Sequence, residues 1–189
     1  MHKRARRISL VVAALVIVAI AATLGYRGYR EQVARPGFPD IDTSQLSPGR
    51  AAVIHVLGQE YAAQAGMFKY SEGNDEPWCG DFTSWVMRES GKPFANPNSG
   101  HWRIPGVMTL TDYLHTEGRW EPPDYSPLPG DMVLYDEPSP KHQHVNIVLI
   151  NNHGTLTTIG GAEGRNGGLG LSTYQITDDP GIQGFGRYE

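Results

Sequence analysis

The chain has 189 residues and a net charge of -4, from 16 Lys/Arg against 20 Asp/Glu, with 23 Gly, 14 Pro and a single Cys. One cysteine excludes an intramolecular disulfide framework and Cys-rich zinc modules, and the Gly/Pro content is loop-rich without reaching the level of a disordered chain. The charge is also unevenly placed: residues 1–35 hold seven Lys/Arg against Glu31 alone, +6, and residues 36–189 hold nine against nineteen acids, -10. A body this acidic does not suit phosphate neutralisation, so no nucleic-acid partner is expected.

Met1–Arg7 is basic, and Ile8–Tyr26 runs nineteen residues without a charge. As a helix that run spans roughly 28 Å, close to the hydrocarbon thickness of a bilayer. Residues 1–26 therefore read as an export address, in one of two forms. A signal anchor would leave the body outside the cytoplasmic membrane, oriented by the positive-inside rule. A cleaved signal peptide would use Ala19-Ile20-Ala21 as its small-x-small site and release the body as a secreted protein. Residues 27–46 follow as a linker, with Pro and Gly and no sustained period.

Residues 47–189 read as one domain. Ser47-Pro48 predicts a helix start, with Ser as N-cap and Pro at the first helical position. Ile54, Leu57, Tyr61 and Ala65 follow at helical spacing towards Gly66, with Val53 and Val56 beside the stripe. A second helix is expected from Cys79 to Ser90, stopped by Gly91, with Phe82, Trp85 and Val86 on its apolar face. From Pro129-Gly130 the pattern turns to short β-branched runs: Met132–Tyr135, Val145–Ile150, Leu156–Ile159, Leu171–Ile176 and Phe185–Tyr188. Asn152-His153-Gly154 provides a turn between the second and third. Helices first and strands afterwards predict an α+β domain with a mainly antiparallel sheet.

Chemistry concentrates on two residues. Cys79 lies at a helix start behind Pro77, where unpaired N–H groups and the positive end of the helix dipole favour thiolate. His144 opens the strand carrying Val145–Ile150, and strand alternation can aim it at a helix packed on the sheet. His142 shares that parity and competes for the role. Cys79, His142 and His144 could also form three zinc ligands with Asp81 as a fourth, but the set lacks a second spacing signature. No metal and no cofactor is expected. Asp81 reads as a capping residue, Trp85 as core, and Trp78, Trp102 and Trp120 as aromatics lining a substrate groove.

Pro77-Trp78-Cys79-Gly80-Asp81-Phe82-Thr83-Ser84-Trp85-Val86 resembles the WCADFVSWV-type signature of CHAP domains, the cysteine- and histidine-dependent amidohydrolases/peptidases. Pro129-Gly130-Asp131-Met132-Val133-Leu134-Tyr135 resembles that family's PGDIVVF strand, and His144-Val145-Asn146-Ile147-Val148 its HVGIV strand. The three motifs keep order and spacing over about 110 residues. The resemblance implies a papain-like α+β fold, hydrolysis of amide bonds in cell-wall peptidoglycan, and His144 rather than His142 as the partner of Cys79. The expected chemistry is a Cys-His thioester mechanism, in a monomer that the N-terminal segment attaches to the cytoplasmic membrane. One segment departs: where the family has an IEGN-like stretch that orients the histidine, this chain has Ile159-Gly160-Gly161-Ala162. Glu163 or Asn166 could take over from just beyond, with Glu163 the favoured third catalytic residue. Without either, the fold would serve as a membrane-tethered wall-binding scaffold. An amidase acting on a substrate outside the wall is a further alternative, since fold fixes chemistry better than substrate.

Overall fold

The computed structural model describes residues 15–29, 36–164 and 167–189. It divides into two units, residues 1–37 and residues 38–189. In the first, residues 15–29 are helical (α1). Most of the uncharged run is thus helix, while its residues 8–14 lie outside the described residues. Among the described residues no helix is long and apolar enough to cross a membrane.

The second unit begins at Phe38, earlier than the expected boundary at Ser47. The reason is apolar: Phe38 and Ile41 pack against the core, and the Phe38 ring lies 5.8 Å from that of Tyr61. Helix α2 follows over Pro48–Ala63, with Ser47 Oγ accepting the Arg50 N–H as the N-cap reading requires. Val53 and Val56 are buried with Ile54, Leu57 and Tyr61, so the buried face is broader than a single stripe. The helix stops at Gln64, in the left-handed region, rather than at Gly66, which instead precedes the single turn α3 over Met67–Tyr70. Helix α4 covers Cys79–Glu89 and α5 covers Val107–Thr116.

The strands are β1 Trp120–Glu121, β2 Met132–Tyr135, β3 His144–Asn152, β4 Thr155–Gly160, β5 Gly170–Gln175 and β6 Ile182–Gly186. They form one antiparallel sheet in the order β1-β6-β2-β3-β4-β5. The expected α+β class and antiparallel pairing are both present. α4 lies on β3, near the middle of the sheet, and the core fills the space between, from Phe82, Val86 and Met87 to Val145, Ile147 and Leu149. A smaller cluster of Val133, Tyr135, Val148, Leu156, Ile182 and Phe185 covers the opposite sheet face.

The turn before β2 is fastened to α2. Arg50 pairs with the fully buried Asp131 at 2.9 Å, and Asp131 also accepts the Tyr188 and Leu128 N–H groups. β2 in turn fixes β3, with Tyr135 opposite His144 in the register.

Candidate active site

Cys79 is the first residue of α4 and 5% exposed. Trp78 occupies the N-cap position and provides no side-chain cap, so the first-turn N–H groups beside the sulfur stay available. The chain at 104–105 crosses directly over this turn: a Cβ on Gly80 would meet the Pro105 carbonyl oxygen at 2.3 Å and that of Ile104 at 2.7 Å. Only glycine fits after the cysteine, and Ser84 Oγ, accepting the Ile104 N–H at 3.0 Å, holds the crossing segment in place.

Asp81 does not cap the helix. It is fully buried and pairs with Arg103 Nη1 at 2.7 Å, and the same nitrogen binds Glu76 Oε1 at 2.5 Å. One guanidinium thereby joins the loop before the cysteine to the helix turn after it. Burial pushes the Asp81 carboxyl up to about 6, Glu76 and Glu72 add to the rise, and Arg103 opposes it.

His144, the first residue of β3, is 8% exposed. Its Nε2 lies 3.3 Å from Glu163 Oε1, an ion-pair contact too poorly directed to count as a hydrogen bond. Burial alone would lower the imidazole's proton affinity. The interaction with Cys79, and then that with Glu163, outweigh it and carry the pKa up to about 9. Glu163 responds in the opposite sense: burial would raise it, but His144 and Lys141 bring it down to about 2. Around neutral pH the site therefore holds an imidazolium between a sulfur and a carboxylate, the charge state a thiolate partner requires.

The residues expected to act together divide as follows. Cys79, His144 and Glu163 are brought together, with Glu163 in the loop after β4 as the displaced alternative to an orienting group at 160 or 162. Asn166 lies outside the described residues. His142 points away: its side chain is 75% exposed, its backbone φ is +54°, and its Nδ1 meets Glu137 at 2.7 Å. The grouping of Cys79, Asp81, His142 and His144 as ligands is thus not assembled, and among the described residues no three His, Cys, Asp or Glu side chains are placed to hold a metal ion.

The groove-lining reading of Trp78 is corrected. The ring is 5% exposed and stacks on Tyr70 at 5.3 Å with an interplanar angle of 2°, because the N-cap position turns it into the core. Trp120 stacks on His115 at 4.5 Å. Trp102 keeps partial exposure and lies edge-on to Trp85 at 6.1 Å, with the Arg88 guanidinium 4.2 Å from both ring centroids. Trp85, expected in the core, is only half-buried.

Of three further side chains at the site, two carried no signal on their own. Arg103 and Lys141 lie in loops whose partners are set by tertiary structure. Asn146 had a usable trace, since it stands where the resembling strand has glycine.

Residues 71–162 match the family model of the CHAP domain. Cys79 and His144 fall inside the matched stretch, and Glu163 is the residue just after it. No curated protein matches the sequence.

Proposed function

We propose, from the match of residues 71–162 to the CHAP domain, a family of amidase and peptidase hydrolases associated with peptidoglycan, that the chain is a cysteine amidase or endopeptidase of the cell wall. The observation that carries the reading is the juxtaposition of Cys79, at an uncapped helix N-terminus, with a His144 that faces Glu163. The Cys79 thiolate attacks the amide carbonyl carbon, and the C–N bond breaks as His144 gives its proton to the leaving amine. The resulting thioester is hydrolysed by water, whose proton returns to His144 as the C–S bond breaks and the thiolate is restored. First-turn N–H groups of α4 face the oxyanion, an interaction whose loss typically costs about 2.7–4 kcal/mol. Glu163 keeps the imidazole oriented.

The export reading belongs to the same proposal. The basic start and the uncharged run of residues 8–26 support an extracytoplasmic body, tethered or released after cleavage. Protease protection of intact cells against lysed cells tests it, and a body reached by protease only after lysis contradicts it.

The hydrolase assignment is tested by digesting purified peptidoglycan with the full-length protein and with Cys79→Ala, identifying released products by mass. New amine and carboxyl ends from the native protein and none from Cys79→Ala are expected. Equal release by both rules out Cys79 as nucleophile, and wall binding without release by either favours a scaffold.

A further inference from the structure

The charge behind His144 is not limited to Glu163. Lys141, in the loop leading into β3, forms an ion pair with Glu163 Oε1 and donates to Ser172 Oγ at 3.0 Å. Its ammonium also lies over the rings of Tyr135 and Tyr174, at 5.7 and 6.0 Å, whose hydroxyls bond each other. This lysine is not a roving surface group: its side chain is 18% exposed. Its loop is pinned, since the Lys141 N–H donates to Ser139 Oγ, which donates to the buried Asp179 at 2.8 Å.

Asn146 approaches the same carboxylate from the strand. It is two residues beyond His144 and so on the same face of β3. It is fully buried, and its Nδ2 donates to Glu163 Oε1 at 3.1 Å and to Thr158 Oγ1 at 3.0 Å. The space it fills depends on Gly160, where a Cβ would come within 2.1 Å of Asn146 Oδ1. Glu163 Oε1 thus receives Lys141 and Asn146 and faces His144 Nε2. A glutamate in a glycine-flanked loop would otherwise have several rotamers to lose.

We propose that Lys141 and Asn146 are positioning residues of the catalytic centre, which together seat the Glu163 carboxylate against His144, while the Lys141 charge sets how firmly His144 keeps its proton. The inference rests on the reading of Cys79, His144 and Glu163 as the catalytic set.

The direction of the charge effect follows from who faces whom. His144 meets Cys79 from α4, Glu163 from the loop after β4 and Tyr135 from β2. Glu163 meets His144, Lys141, Asn146 and Ser172, with Tyr174 behind. Burial holds Tyr135 well above 10 and Tyr174 up to about 12, so both stay neutral in the window that matters. With Glu163 still held by Asn146, removing the Lys141 charge takes a positive neighbour from His144 and raises its midpoint. Removing the Glu163 charge must lower it.

The test uses the full-length protein and two readouts: the pH dependence of iodoacetamide alkylation of its single thiol together with the NMR titration of His144, and kcat and KM on peptidoglycan. Lys141→Met and Lys141→Gln are each expected to move the His144 midpoint up by roughly half a pH unit or more, and Glu163→Gln to move it down. Lys141→Arg keeps the midpoint. Both neutral Lys141 variants and Asn146→Ala lower kcat on the order of tenfold with KM unchanged, the scale on which groups behind a functional histidine act, and Lys141→Arg recovers most of it. A midpoint that stays or falls in both neutral variants overturns the proposal, as does native kcat in Asn146→Ala. If the native protein releases nothing from peptidoglycan yet the midpoints move in opposite directions, the substrate reading fails and the seat stands.

Discussion

Replacing Arg103 by Met tests how the nucleophile is held. The change keeps an unbranched apolar stem and removes the one cation that, among the described residues, pairs with the fully buried Asp81. The Arg103 side chain is 17% exposed and also binds Glu76, so the pair falls in the regime where removing one partner costs about 3–5 kcal/mol. Glu76 and Glu72 are more exposed and recover hydration, which places the expected loss near the lower end, about 3 kcal/mol. For a body of this size that is a fall in Tm of roughly 6–12 °C. The sign with pH is distinctive. Asp81 already titrates up at about 6, above its ordinary 3.8, so the folded state binds its proton more readily than the unfolded chain, and the associated stability is lost as pH rises through about 6. Without Arg103 the midpoint rises further, so on acidification the variant takes up a proton at Asp81 before the native protein does. Urea unfolding at pH 7 and pH 5 should show the native-to-variant gap narrowing on acidification. A gap that is constant over that range refutes the assignment of the loss to Asp81.

Glu163→Gln should draw the basic limb of kcat/KM for peptidoglycan hydrolysis down from about 9, because His144 loses the second of the two groups that raise it; a limb unmoved in the pH–rate profile contradicts the pairing. In stability the raised His144 contributes fully below its ordinary 6.5 and loses that contribution as pH rises through about 9, whereas the lowered Glu163 contributes above 4.5 and loses it towards about 2. Gly160→Ala should destabilise by about 1–3 kcal/mol through overpacking against Asn146, and a second change, Asn146→Gly, should recover part of that loss. Denaturant unfolding of the four members of this cycle checks it, with strict additivity as the contrary result.

The sequence made the frame of the site legible because its signals are local. Ser47-Pro48 begins α2, Cys79 begins α4, and four of the five expected strands overlap β2 to β5 closely. α5 went unread although Val107, Leu110, Tyr113 and Leu114 recur at helical spacing, because Gly106 provides no side-chain cap to mark its start. Phe38 looked like linker because its partners on α2 are far along the chain. At the site, helix position brought Cys79 into view and the start of a strand His144, although His144 has the parity of Tyr135 and Val148 and not that of Val145, Ile147 and Leu149, which meet α4. The IGGA departure pointed past itself to Glu163. Nothing local indicated that Lys141, in a loop, would share that carboxylate, or that Arg103 would clamp Asp81. Trp78 was misjudged because its stacking partner Tyr70 comes from a separate one-turn helix.

The bare N-cap of α4 has a consequence for energy as well as geometry. Most helices complete their first turn with a side-chain oxygen worth about 1 kcal/mol, and α4, with Trp78 in that place, forgoes it. In the proposed reaction the missing acceptor arrives with the substrate, as the negative oxygen of the tetrahedral intermediate. The helix is then complete only while the bond is being broken, so a stabilising contact that the resting fold lacks is made during the chemical step.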